Sequence, residues 1–128
     1  MHVRDGMSSV VLTIGPSHSL SDAARLMTER NVGAAIVVDP DSPGPGIITE
    51  RDILRSVAAG ENPTTEKVAD HLTEDLISAS PEWSLEQAAD AMLDGGFRHL
   101  LVVNGADLEG ILSMRDIVRC WAKDRVAG

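Results

Sequence analysis

A chain of 128 residues with 43% hydrophobic content is long enough to bury one core of ordinary domain size and too short for two large independent ones. Its 20 acidic residues against 11 basic ones leave a net charge of −9 with no block of Lys and Arg, which excludes non-specific nucleic-acid binding by phosphate neutralisation. No run approaches about 18 apolar residues, so neither a membrane-spanning helix nor a membrane partner is expected.

In chain order, VVLTI at 10–14 reads as a first strand closed by Gly15-Pro16. Ser19 opens SLSD, a pattern that caps a helix N-terminus, and Leu20, Ala23, Ala24 and Met27 then recur along one helical face. Asn31 is suited to a left-handed helix end. AAIVV at 34–38 predicts a buried strand, DPDSPGPG a turn, and GII at 46–48 a partner strand. A last helix is expected from Thr49, with Ile53, Leu54 and Val57 facing inward, and AGENPTTE at 59–66 connects it to the second half of the chain.

The same series then recurs. LISAS (76–80) is the strand, Ser84 opens SLEQ, Leu85, Ala88, Ala89 and Met92 line the helix, and Gly95-Gly96 ends it. LLVV and GIL come next as paired strands, and a last helix from Ser113 is expected to turn Ile117, Val118 and Trp121 inward. Val3-Arg4-Asp5 aligns with Val68-Ala69-Asp70, LSDAARLM with LEQAADAM, and AAIVV with HLLVV, all at an offset of 65. After a turn one residue shorter, GIITERDILR aligns with GILSMRDIVR at 64. The expected fold class is α+β: two pseudo-symmetric β-α-β-β-α repeats packed sheet to sheet as one module, because a unit of about 60 residues is marginal alone. Residues 1–60 are read as the first repeat, 61–66 as a linker and 67–128 as the second.

Chemistry gathers where a strand hands over to the last helix, at Thr49, Arg51 and Asp52 and again at Ser113, Arg115 and Asp116. A helix N-terminus carries unpaired amides and a partial positive charge of roughly half an electron, so it attracts phosphate. A hydroxyl, an arginine and a carboxylate placed there make a nucleotide grip; the same T/S-x-x-D spacing is equally a capping box that serves only the helix. Both readings stand, although the box more often carries Glu or Gln at its third helical position, as Gln87 does.

The copies differ at Gly33-Ala34, which becomes Arg98-His99. These two are either a solvated base and a half-buried histidine, or a cation and an imidazole that favour phosphorylated ligands in one copy only. His2, His18 and His71 lack a ligand spacing such as H-x-x-x-H, and the lone Cys120 has no partner, so neither a metal site nor a disulfide is expected. Cys120 reads as a small buried residue in a reducing cytoplasm, and the N-terminus shows no charged leader ahead of an apolar core, which makes the expected location cytoplasmic. No nucleophile with a base and no G-x-x-x-x-G-K-[ST] loop is present, so catalysis is not expected.

This duplicated series, over about residues 3–125, closely resembles the CBS domain, named after cystathionine β-synthase, a tandem pair of which forms a Bateman module. The resemblance implies a stand-alone regulatory sensor and not an enzyme. It implies an adenosine compound (AMP, ADP, ATP or S-adenosylmethionine) held in clefts between the copies as a regulatory ligand, with no cofactor. It further implies a homodimer formed through helical faces and an unknown protein that responds. By motif position, Asp52 and Asp116 accept ribose hydroxyls and Thr49 and Ser113 contact phosphate or ribose. Thr13 and Ile14, or Ser78 and Ala79, lie beside the adenine, and Ile47 and Ile111 wall the pocket. The alternative is a ligand-free interaction scaffold in which the T/S-x-x-D pairs act only as caps.

Overall fold

The computed structural model describes residues 1–42, 44–73 and 78–127, with side chains to residue 124. In chain order these form α1 (Val3–Gly6), β1 (Thr13–Ile14), α2 (Leu20–Arg30), β2 (Ala34–Val37), β3 (Gly46–Thr49) and α3 (Glu50–Ala58). A 3-10 turn at Val68–Asp70 leads to β4 (Ser78–Ala79), α4 (Leu85–Gly95), β5 (His99–Asn104), β6 (Asp107–Ser113) and α5 (Met114–Ala127). The expected α+β class is observed, with two three-stranded sheets ordered β1-β2-β3 and β4-β5-β6. In each, the first pair is parallel and the second antiparallel.

The chain divides into two compact units, Val11–Asp75 and a second made of Met1–Val10 together with Leu76–Gly128. In the first, Ser19 caps α2 through its hydroxyl on the Asp22 amide at 3.0 Å. The Ser19 backbone N–H, and then its hydroxyl, hold the Asp22 carboxyl below the usual carboxylate range. Asn31 ends this helix in the left-handed region at φ 53. Leu20, Ala23 and Met27 then pack on Ile14, Ala35, Val37 and Ile48 of the sheet, with Leu12 and Val68 completing the core. The second unit repeats this, packing Leu85, Ala88, Ala89 and Met92 on Ala79, Leu100, Val102 and Leu112, with Val3, Ile117 and Cys120.

Each core is closed by a leading V-x-D segment. Val68 N–H donates to the His18 carbonyl at 2.9 Å and Ala69 N–H to Pro16 at 2.9 Å. In the other unit Val3 N–H donates to Trp83 at 2.8 Å and Arg4 N–H to Pro81 at 3.1 Å. Both valines are fully buried. The segment belonging to the first repeat by sequence therefore plugs the core of the second. A few residues on, Ser8 exchanges backbone hydrogen bonds with Ile111 on β6, and Thr73 with Ile47 on β3. This close passage accounts for the glycine of GII and GIL: a Cβ on Gly46 would meet the Leu72 side chain at 2.7 Å, and one on Gly110 would collide with the Ser8 carbonyl.

Two expectations need correction. Only Thr13–Ile14 of the first apolar stretch pairs as strand, and Val10 is 79% exposed. Of its counterpart, Ser78–Ala79 pairs, while Leu76 and Ile77 lie outside the described residues. In the last helices, Leu54, Val57, Val118 and Trp121 were expected inward but are exposed. Ile117 is buried and Ile53 packs partly against its core, as expected, and the other buried positions are Ser56 on α3 and Cys120 on α5. The cause is geometric: the i, i+3 lines Ile53–Ser56 and Leu54–Val57 on α3, and Ile117–Cys120 and Val118–Trp121 on α5, lie about 100° apart, and each core covers the first of the two.

Candidate functional site

Both helix starts singled out by the sequence are built alike. Thr49 is extended, and its hydroxyl accepts from the Asp52 amide at 3.3 Å while donating to Asp52 Oδ2 at 2.9 Å; the Thr49 amide also donates to that oxygen, at 2.9 Å. At α5 the Ser113 hydroxyl accepts from the Asp116 amide at 3.0 Å, and the Ser113 amide donates to Asp116 Oδ2 at 2.8 Å. The first helical amides, those of Glu50 and Met114, donate to the carbonyls of Gly33 at 3.0 Å and Arg98 at 2.8 Å. The capping boxes are thus complete in both copies, and a carboxylate with four lone-pair positions still has capacity for further donors.

The sheet register decides which other residues join them. Thr13, Ile36 and Ile47 form one row across the first sheet, and Ala34 pairs with Thr49 in the next. Ser78, Leu101 and Ile111 form the equivalent row, and His99 pairs with Ser113. Because side chains alternate along a strand, all of these point away from the helix-covered cores. The structure therefore brings Thr13, Ile47 and Thr49 to one sheet face, and Ser78, Ile111, His99 and Ser113 to the equivalent face. Ile14 and Ala79 do not join them. Their side chains lie in the opposite, helix-covered cores, so a base beside these strands meets only their backbone.

Arg51 and Arg115 are exposed in the first turns, and Arg98 is exposed just before β5. The arginine that meets Asp116 is Arg119, one turn further on, with Nη1 at 3.0 Å from Oδ1 and Nη2 donating to the Gly6 carbonyl at 3.3 Å. Sequence reading missed Arg119, although its i, i+3 spacing from Asp116 was the available signal.

This paired architecture has known counterparts. The CBS domain model matches residues 2–59 and again 68–123. The chain belongs to the CBS domain family. Its tandem CBS pair is similar to the CBS domain-containing protein YhcV of Bacillus subtilis, 36% identical over 127 residues that span 98% of this chain and 89% of that protein. An uncharacterized 17.7 kDa protein of Acidianus ambivalens is 36% identical over 110 residues, covering 85% of this chain and 66% of its own length. Among solved structures, a hexameric CBS-CP12 protein from bloom-forming cyanobacteria superposes with a TM-score of 0.86 at 31% identity, over 93% of this chain and 71% of that one. The CBS domain pair of protein MJ0100, in complex with 5'-methylthioadenosine and S-adenosylmethionine, shares the fold with a TM-score of 0.83 at 24% identity, over 97% of this chain and 98% of that one.

Proposed function

We propose that this CBS pair is a regulatory sensor without catalysis of its own, which binds an adenosine-containing ligand and signals its occupancy to a separate protein. The observation that carries this reading is the hydroxyl–carboxylate pair at each last-helix start, set on the same sheet face as an apolar row that ends in a second hydroxyl. In the first copy these are Thr49 and Asp52, the row Ile36–Ile47, and Thr13; in the second they are Ser113 and Asp116, the row Leu101–Ile111, and Ser78. A ribose offers two vicinal hydroxyl donors to a carboxylate, and an aliphatic row accepts the flat face of a purine without an aromatic partner. The adenosine compounds bound by the MJ0100 pair support the same ligand class. Among AMP, ADP, ATP and S-adenosylmethionine, the phosphorylated compounds suit the second copy, where His99 faces Ser113.

The test is thermal unfolding with and without each of AMP, ADP, ATP, NAD and S-adenosylmethionine, beside the Asp52→Ala/Asp116→Ala double variant. A ligand at about 100 times its Kd stabilises by roughly 2.7 kcal/mol. A shift with one adenosine compound that vanishes in the variant is the expected result.

One observation favours a second reading. Both capping boxes are complete within the chain, as a pure scaffold requires. No shift with any compound, together with an equal loss of stability in the variant at every ligand concentration, decides for the scaffold. In either reading we place a second copy of the chain on the exposed apolar lines of the last helices.

A further inference from the structure

We propose that Glu61, Glu66 and His71 form a binding site for a divalent transition-metal cation, Zn²⁺ above all. One carboxylate oxygen from each glutamate and a ring nitrogen of His71 lie within 4.8 Å of one another. His71 Nε2 and Glu66 Oε1 are already 2.9 Å apart. Adjacent ligands of a tetrahedral zinc ion with bonds of about 2.0–2.2 Å stand roughly 3.3–3.6 Å from each other, so the His71–Glu66 pair need part only slightly to admit the ion between them, with Glu61 closing on it from within 4.8 Å. Two carboxylates and one imidazole leave a position for water and suit a borderline-soft divalent ion better than Ca²⁺ or Mg²⁺, which prefer all-oxygen shells.

The backbone holds all three donors in place. Glu61 N–H donates to the Ser56 carbonyl at 3.1 Å, Glu66 N–H to Asn62 at 2.9 Å, and His71 N–H to Val68 at 3.0 Å. Ser56, only 3% exposed, turns its hydroxyl onto Glu61 Oε1 at 2.9 Å, the kind of outer hydrogen bond that orients a ligating carboxylate. The His71 ring is 17% exposed and Glu66 29%, so an ion there is partly shielded from water. In a chain of net charge −9, a cation also relieves the repulsion between the two glutamates. Bound metal would tie the end of α3 to the 3-10 turn whose Val68 completes the core of the first unit.

The experiment is titration of the chelator-treated full chain with ZnCl₂ by calorimetry, and with CoCl₂ by visible absorption, alongside His71→Ala, Glu66→Gln and Glu61→Gln. Glu61→Gln keeps the acceptor for Ser56 and so separates ligation from folding. The expected result is one Zn²⁺ per chain, a raised unfolding midpoint, and affinity at least tenfold weaker in each variant with unchanged far-UV dichroism. Absence of zinc binding by the wild-type chain overturns the proposal. So does zinc binding of equal strength in Glu61→Gln and Glu66→Gln, which would place the ion on other histidines. If His71→Ala does not fold, those two variants decide.

Discussion

His99 on β5 stands directly across the antiparallel ladder from Ser113, whereas the same place in the first repeat, opposite Thr49, holds Ala34. Residues so paired have Cβ atoms about 4.5–5.5 Å apart, which brings the imidazole within reach of anything held by the Ser113–Asp116 start. His99→Ala is therefore expected to weaken AMP binding roughly tenfold, the scale of one lost hydrogen bond to a charged group, and to leave adenosine binding nearly unchanged. Calorimetric titration with both compounds checks this; equal weakening of the two would remove His99 from phosphate recognition.

The capping role of Asp52 and Asp116 is measurable without ligand. Each Asp→Ala change is expected to cost about 1 kcal/mol in urea unfolding. Asp116→Ala also releases Arg119 from its ion pair, and with it a hold on the Gly6 carbonyl of α1. Faster amide exchange across α1 in Asp116→Ala, and not in Asp52→Ala, is the outcome to look for.

Gly110→Ala is expected to destabilise more than Gly46→Ala. The added methyl meets a backbone carbonyl, that of Ser8, in the first case, and at its nearest approach the end of a leucine in the second. Overpacking against a fixed atom costs about 1–3 kcal/mol. The Ser8 and Ile111 amides should lose exchange protection in Gly110→Ala, and equal effects of the two changes would count against this account.

Leu54, at 67% exposed, and Trp121, at 40%, sit on apolar lines that no part of their own core covers. If a second copy covers them, Leu54→Glu and Trp121→Glu shift the sedimentation coefficient to that of a smaller species at micromolar concentration. The unfolding free energy of the dissociated chain stays within about 0.5 kcal/mol, as for ordinary surface changes.

The lowered Asp22 carboxyl makes a pH prediction. A carboxyl with a folded-state pKa below its unfolded value contributes stability above the unfolded value and loses it as pH falls through the folded one. Wild type should therefore exceed Asp22→Ala in unfolding midpoint at neutral pH, with the gap narrowing below about pH 4. A gap unchanged down to strong acid would mean that the charged cap contributes nothing.

Much of this was legible because α2 and α4 are long enough to show a 3.6-residue period with a Ser cap, and because duplication printed each signal twice. Four-residue α1 and the three-residue turn at Val68 are too short to show a period, so only their likeness to each other was visible. Wide apolar stripes misled the reading of the last helices, where Ser56 and Cys120 share the inward line with Ile53 and Ile117 while Leu54, Val57, Val118 and Trp121 stay exposed. The family resemblance set Ile14 and Ala79 beside the base together with Thr13 and Ser78, although neighbours on a strand face opposite ways. His71 was read as lacking a ligand spacing, and Glu61 and Glu66 were not singled out, because separations of five and five match no ligand motif.

Alignment shows which segments are alike but not which core each one enters. Because Val3 serves the second unit, the unit Val11–Asp75 is, in connectivity, an insertion between residue 10 and residue 76 of the other. One body is a continuous stretch of chain, while the other must be assembled from residues 1–10 and residues 76–128. During synthesis the body at 11–75 can thus close before residues 76–128 are made, whereas residues 1–10 find their place only once those residues follow. Cutting the gene at the sequence boundary would yield two halves of which the C-terminal one lacks the valine that closes its core.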